Sequence, residues 1–501
     1  MCEKKYIAAF DIGTTAVKGV LACEDGTLTA SRSIDIPTIF EGDRKEQDPR
    51  VWYDAFCEIS RGFFREGETG CGAVTPDGIM GIVMSGQMQD VIPVDEEFQP
   101  VGNAILYSDG RGEPQAQRLL ERFGAEEIER ITGNHCDGSL SFPKILWMKE
   151  NEPELFARID KIMLPKDYIN YILTGVHACD YSDASGMLTL DVEHKCWSQE
   201  MLKICGITED VMPKLFESFA CIGEVKPEIA EALGLPAGVK VAAGAGDNAA
   251  AAIGTGVVGE GGCNISLGTS GTVFISSEKF GVDPNNALHA FAHADGGWHL
   301  MGVVLSAASC NKWFNEEILK TTDFAKEQAA ICEEKLGRNS VFFLPYLMGE
   351  RSPINDVNAR GAFVGMSMDT TRADFVLAVL EGVAFAIRDS VEVARSLGIE
   401  INRSKICGGG AKSPLWKRIM ANVLNVTLEC PACEQGPGMG GAMLAMVADG
   451  VYPTVKDAVN AIVRTASTVE PEPELVALYE KQYQKFSKIY PAMKELFPAI
   501  Q

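Results

Sequence analysis

Two segments half a chain apart carry the same pattern: an apolar run, a glycine-threonine turn and a second apolar run. The first is Tyr6–Phe10, then Asp11-Ile-Gly13-Thr14-Thr15, then Ala16–Ala22. The second is Cys263–Ser266, then Leu267-Gly268-Thr269-Ser270-Gly271, then Thr272–Ile275. Each predicts a β-hairpin closed by a tight polar turn. Gly13 and Gly268 stand 255 positions apart (268 − 13) in a chain of 501 residues. A repeat of that size predicts two similarly built lobes and narrows the several domains that length alone permits.

A further turn at Asp25-Gly26 leads into Thr27–Ile36, so three antiparallel strands are expected to open the fold. Helical periodicity over Glu113–Phe123, Ser141–Asn151, Ala307–Leu319, Arg372–Leu397 and Ser413–Leu424 is interleaved with β-rich runs at Met80–Met84, Lys240–Ala243 and Ser340–Leu344. That alternation predicts an α/β architecture. A Pro/Gly-rich turn at Pro236–Gly246 marks the boundary, giving lobes 1–245 and 246–501. The second lobe ends in a charged helical tail after Pro471.

Three glycine signals compete for a phosphate-binding role. Gly254-Thr-Gly256-Val-Val-Gly259 fits GxGxxG, but an Ala-rich helical run precedes it where the dinucleotide fingerprint needs a strand. Gly244-Ala-Gly246-Asp247-Asn248-Ala249 does follow a strand, yet Asp247 would meet the pyrophosphate with the wrong charge. No GxxxxGK[ST] is present. The repeated hairpin turns remain: glycine permits backbone N–H groups to approach a phosphate, and threonine hydroxyls add donors.

Charge excludes other classes. The chain has 45 Lys+Arg against 69 Asp+Glu, a formal charge of −24, a field that would repel a nucleic acid. The segment Met1–Phe10 is neither a secretory leader nor a membrane span, and no apolar run reaches the roughly 18 residues a spanning helix needs. A soluble, cytoplasmic protein is expected. Fifteen cysteines at irregular spacing suggest buried thiols, with Cys430-Pro-Ala-Cys433 as a lone CxxC that lacks a second pair for metal binding. His289, His293 and His299 lack the glutamate of a zinc-protease helix and are expected to be structural.

With these residues in view, the chain resembles the FGGY carbohydrate kinases of the actin/hexokinase/heat-shock-chaperone ATPase superfamily, most closely their xylulokinase branch. Asp11-Ile-Gly-Thr-Thr-Ala-Val-Lys18, Ser85-Gly-Gln-Met88, Asp109-Gly-Arg111 and Leu164-Pro-Lys-Asp-Tyr168 carry the resemblance in the first half, with Asp180–Gly186 and Gly244–Asn248. Ser266–Gly271, His289–His293, Leu305–Cys310, Leu344–Arg351 and Gly408–Ser413 carry it in the second. The resemblance implies two actin-like, ribonuclease H-like lobes around a nucleotide cleft. It implies sugar bound mainly by the first lobe, ATP mainly by the second, and closure between them.

It also assigns expected roles. Asp247 is the catalytic base, and a helix start at Asp247-Asn248 is expected to hold its pKa down. Asp11 positions Mg²⁺, directly or through water, with Asp247 as a second candidate ligand. Gly13, Thr14, Thr15 and Lys18 face the terminal phosphates, with Gly268 and Thr269 from the other lobe. Gly409, Gly410 and Ala411 lie against the nucleotide. Met88, Gln89, Asp109, Arg111 and Asn248 bind the sugar.

Two departures from the family pattern bear on the sugar. Gln87-Met88-Gln89-Asp90 replaces Gln-Met-His-Gly, and Tyr107-Ser108 replaces Trp-Asn. Asp90 is expected either to pair with sugar hydroxyls or to face solvent. The implied reaction is γ-phosphoryl transfer from ATP to a primary hydroxyl of an open-chain sugar, D-xylulose first. Ribulose, L-xylulose, a pentitol or glycerol is an alternative acceptor. A non-kinase ATP-gated scaffold is the reading from another class, and a homodimer is open. Phosphate binding by so acidic a chain implies strong dependence on Mg²⁺.

Overall fold

The computed structural model describes residues 5–42, 44–64, 74–283, 285–432 and 436–500. Two compact units emerge. The first comprises residues 1–259, 290–298 and 435–463, and the second residues 260–289, 299–434 and 464–501. No helix among the described residues is long and apolar enough to cross a membrane.

The expected hairpin opens the first unit as β1 (Tyr6–Ile12) and β2 (Ala16–Cys23), followed by β3 (Leu28–Asp35). Three further strands, β4 (Ile79–Gly86), β5 (Cys221–Glu224) and β6 (Lys240–Gly246), complete a sheet of order β5-β6-β4-β1-β2-β3. β1 pairs antiparallel with β2 and parallel with β4, and β4 pairs parallel with β6. The central strands are almost continuously apolar because helices cover both faces of the sheet. Phe10, Ile12, Met84 and Val241 pack on one side with Trp52, Phe56 and Ile169 of the helices Pro49–Gly62 and Pro165–Thr174. Ile7, Ala9, Val83 and Ala242 pack on the other with Ala442, Ala445 and Met446 of the helix Gly436–Ala448.

The second unit repeats the plan. The expected hairpin is β7 (Cys263–Leu267) and β8 (Gly271–Ser277), joined by β9 (Trp298–Val304), β10 (Arg403–Cys407), β11 (Thr427–Pro431) and β12 (Thr465–Val469). Their order is β9-β8-β7-β10-β11-β12, with β7 parallel to β10 and β10 parallel to β11. Both sheets therefore join a hairpin to two parallel strands and close on an antiparallel edge strand. The helix Arg372–Ser396 is launched by a capping box, in which Thr371 and Asp374 satisfy each other's backbone N–H groups. The helical run expected over Ala307–Leu319 divides into an α-helix at Ala308–Trp313 and a π-helical turn at Phe314–Ile318.

In the first unit, backbone approach is unusually close where Gly436–Ala448 crosses the helix Asp247–Thr255. A Cβ on Gly440 would lie 1.8 Å from the Ala250 carbonyl oxygen, and one on Gly254 would lie 1.8 Å from that of Gly436. Beneath the end of β6 sits an ionic cluster excluded from solvent. Lys166 Nζ lies 2.5 Å from Asp167 Oδ1, 3.0 Å from Asp180 Oδ1 and 3.5 Å from Asp183 Oδ2, all wholly buried. Asp180 Oδ2 accepts from Ser182 Oγ and Ser218 Oγ, and Ser182 Oγ accepts from Gly246 N at 3.1 Å. The cluster thus fixes the residue that precedes Asp247.

Two outcomes follow from this packing. Gly440→Ala is expected to destabilise the protein by about 3 kcal/mol, because a backbone carbonyl cannot yield as a side chain would. An unchanged denaturation midpoint would contradict that contact. Lys166→Met removes the one cation that, among the described residues, pairs with these three buried carboxylates, and is expected to cost ~3–5 kcal/mol at neutral pH. Burial already raises the Asp183 carboxyl well above its ordinary 3.8, with Lys166 opposing and Asp167 and Asp180 adding to the rise. The folded state then holds a proton that the unfolded chain releases, so the contribution of Asp183 to stability falls as pH rises above about 3.8. Without Lys166 the fall is steeper, and pH-dependent melts of the two proteins would diverge from acid to neutral.

Candidate active site

Sheet register assembles the first unit's polar centre. Asp11 lies opposite Ser85 on β4 and Lys18 on β2, and Ser85 lies opposite Ala245 on β6. Residues after the ends of β1, β4 and β6 therefore converge. Ser85 Oγ donates to Asp11 Oδ1 at 2.9 Å. The register of β6 against β4 slips between Ala242 and Ala245, where Gly244 adopts φ 78° and a Cβ would strike the Met84 carbonyl at 1.8 Å. This bulge re-aims the strand end toward the site.

Gly246 caps the helix that follows, and Asp247 is its first residue. The Asp247 carboxylate accepts from Asn248 N at 2.6 Å and from Asn248 Nδ2 at 3.0 Å. The expectation that the helix start depresses its pKa is corrected. Burial and the negative charge of Asp11 push Asp247 up to about 7, against the Asn248 N–H. Burial likewise raises Asp11, partly offset by Ser85 and Lys18.

The Gly-Thr-Thr turn is held from below. Thr14 Oγ1 donates to Gln87 Oε1 at 2.8 Å, and Gln47 Nε2 donates to the Thr14 carbonyl at 2.7 Å. Gln87 Nε2 and Trp52 Nε1 both donate to Gln47 Oε1. The Thr14 hydroxyl proton is thus committed to Gln87, while Thr15 and Lys18 are exposed. Nothing local in the sequence marks Gln47, which lies 33 positions from the turn it supports.

Among the residues expected at the sugar, Met88 packs on Gly246, where a Cβ would lie 2.7 Å from its Sδ. Gln89, half-buried, lies against Gly186. Both Asp109 oxygens are occupied: Oδ2 accepts from Lys45 N and Arg111 Nη2, and Oδ1 from Arg111 N and Nε. Burial alone would raise this carboxyl, but these bonds outweigh it and hold the pKa below its ordinary value. Arg111 also donates to Glu46 at 2.7 Å and lies over the Trp147 ring. Asp90 does not face solvent. It is wholly buried, and its Oδ1 accepts from Tyr107 N. Lys144, missed as one polar position in a periodic helix, is wholly buried beside it.

In the second unit, the Gly268-Thr269 turn packs on the start of the helix Ala308–Trp313. Gly268 O accepts from Ala308 N, and Thr269 O accepts from Ala307 N and Ser309 Oγ. Gly409 faces open space, whereas a Cβ on Gly410 would meet Leu267 and Trp416 at 2.9 Å. Gly410 is therefore small for protein packing, and Ala411 and Lys412 follow in the same short 3-10 turn. His293 Nε2 bonds the Val257 carbonyl, and the His299 ring stacks on Phe274. Every cysteine among the described residues is a free thiol; Cys433 of the CxxC lies outside them.

This arrangement has counterparts. Residues 6–254 match the N-terminal domain, and residues 263–448 the C-terminal domain, of the FGGY family of carbohydrate kinases. A xylulose kinase of Lactococcus lactis is 37% identical over 98% of this chain and 97% of its own. Two solved structures from Lactobacillus acidophilus, each 27% identical, superpose over 99% of this chain and 100% of theirs. One is a gluconate kinase with a TM-score of 0.92, and the other a ligand-bound xylulose kinase with a TM-score of 0.91. Fold alone thus does not separate a sugar acid from a ketose as acceptor. With both domain models matched in order across the repeated lobes, the chain belongs to the FGGY family of carbohydrate kinases, and it is a sugar kinase.

Proposed function

We propose that this kinase transfers the γ-phosphoryl group of ATP to a primary hydroxyl of a neutral open-chain sugar, with D-xylulose the leading acceptor. The observation that carries the reading is that the buried cations of the first unit's site are already committed. Arg111 is bound by Asp109 and Glu46, and Lys166 by Asp167 and Asp180. Lys144 donates to the carbonyls of Gln89 and Ser139. A sugar acid would bring a further carboxylate among Asp11, Asp90 and Asp247 with no uncommitted buried cation among the first unit's described residues to receive it. A ketopentose or polyol presents hydroxyls, which the amides of Gln89 and Asn248 can both donate to and accept from. The curated relatives named xylulose kinase support D-xylulose among neutral sugars; ribulose, L-xylulose, pentitols and glycerol are the alternatives to be scored.

In this reading Asp247 orients the acceptor hydroxyl and takes its proton late, which is all that a loose phosphoryl-transfer transition state asks of a base. Met88 and Gln89 line the sugar on one side, and the Asp109–Arg111 pair fixes the loop opposite. Asn248 holds Asp247 and offers its amide to the sugar. Gly13, Thr15 and Lys18 address the terminal phosphates, while Thr14 keeps the turn in shape through Gln87. Gly268, Thr269, Gly409, Gly410 and Ala411 address the nucleotide from the second unit.

Asp11 and Asp247 also fit a magnesium ion. Two mutually repelling oxygen donors, with no third His, Cys or carboxylate ligand grouped with them among the described residues, suit an ion that retains several waters and takes phosphate oxygens. Bound there, Mg²⁺ would neutralise charge on the transferring phosphate. The reading places the reaction in the cytoplasm, in keeping with the free thiols, and leaves monomer or homodimer to be decided by light scattering.

A coupled ADP-release assay tests the proposal. ADP release is expected to require sugar and to show its highest kcat/KM on D-xylulose, with gluconate far behind. Release at full rate without sugar would instead favour an ATP-gated scaffold. Asp247→Ala is expected to cut kcat by about 10³-fold while ATP binding by calorimetry persists; near-normal turnover would remove Asp247 from its role.

A further inference from the structure

The segments that carry the two halves of the proposed sugar site are joined through buried polar groups. Asp90 is 0% exposed, with Oδ1 accepting from Tyr107 N at 2.6 Å and its backbone carbonyl accepting from Ser141 Oγ at 3.2 Å. The next residue, Val91, exchanges backbone hydrogen bonds with Ile105, each at 3.0 Å. Lys144, also 0% exposed, donates from Nζ to the Gln89 carbonyl at 3.1 Å and to the Ser139 carbonyl. Gln89 itself adopts φ 70°, a left-handed conformation uncommon for a residue with a side chain, and the Lys144 bond falls on its own carbonyl. Asp90 Oδ2 has no hydrogen-bond partner; burial pushes the Asp90 carboxyl well above its ordinary value and Lys144 down to about 8, and each is the principal charge opposing the other's shift.

A wholly buried carboxylate is expensive to keep where a neutral side chain would fit. What it does is fix the distance between the Met88–Gln89 segment and the Tyr107–Arg111 segment. We propose that Asp90 and Lys144 form a buried latch that sets Gln89 against the Asp109–Arg111 pair, making Asp90 a positioning residue that determines which sugar is accepted. The inference rests on the reading that these two segments meet the sugar. A site that recognises hydroxyls by hydrogen bonding discriminates strongly between epimers, and a small displacement of one wall alters that discrimination more than it alters the chemistry.

The test is the full chain with Asp90→Asn and Asp90→Ala, each checked for folding by circular-dichroism melts. Asparagine preserves the Tyr107 bond through its carbonyl but removes the attraction to Lys144; alanine removes both. Steady-state ADP release is measured on D-xylulose and its C3 epimer D-ribulose. The sugar KM is expected to rise roughly tenfold in Asp90→Asn and further in Asp90→Ala. The ratio of kcat/KM between the two epimers should shift by about fivefold or more, with the KM for ATP unchanged. A merely structural role would lower the melting temperature without moving the epimer ratio. If Asp90→Ala does not fold, the ratio in Asp90→Asn decides. An unchanged ratio and sugar KM in a folded variant overturns the latch alone. A wild-type enzyme inactive on every neutral sugar overturns the underlying reading, and the latch with it.

Discussion

Parallel pairing of β1, β4 and β6 is the constraint from which the first unit's chemistry follows. Because neighbouring parallel strands end at one edge, residues that follow them are delivered together however far apart they lie in the chain. Asp11, Ser85 and Asp247 come from three such ends. The delivery is exact only because the bulge at Gly244 and the hydrogen bond from Gly246 N to Ser182 fix where β6 stops. A strand end without those restraints would still form a sheet, but its carboxylate would be free to swing.

Electrostatics in this unit run against a simple expectation for an acidic protein. The chain carries a formal charge of −24, yet its most consequential carboxylates are buried rather than solvated. Lys166, Lys144 and Arg111 each answer carboxylates from inside the fold, so they serve as internal counter-charges and not as an attractive surface for the nucleotide. Burial raises the carboxyls of both Asp11 and Asp247, and the negative charge of Asp11 adds to the rise at Asp247.

What could be read before the structure was known follows a physical divide. The hairpins at residues 6–23 and 263–277 are legible because a turn and its flanking strands are local, and their repetition gives the two-sheet plan. Asp11, Asp109 and Asp247 are legible because each sits in a contiguous motif. Lys144 and Gln47 are not, since their importance comes from burial against residues 33 or more positions away. Asp90 misleads for the opposite reason: a charged residue is ordinarily exposed, and only the folded protein buries it. The ionisation of Asp247 misleads too, because the helix start is visible locally and the opposing charge of Asp11 is not. Nor does anything in its own residues assign Gly436–Ala448 to the first unit, as it is apolar on all sides and carries no periodic face.

That last helix bears on how the protein is made. Gly436–Ala448 packs on β1, β2, β4 and β6, strands drawn from the first half of the chain. During vectorial synthesis the first sheet would leave the ribosome with one apolar face bare, and it would stay so until the second unit had largely been translated. The two lobes are therefore not successive folding modules despite their repeated plan. The earlier one waits for a segment encoded near the far end, so from the emergence of β6 until Gly436–Ala448 is made a nascent chain carries an uncovered sheet face that holdase chaperones are suited to shield.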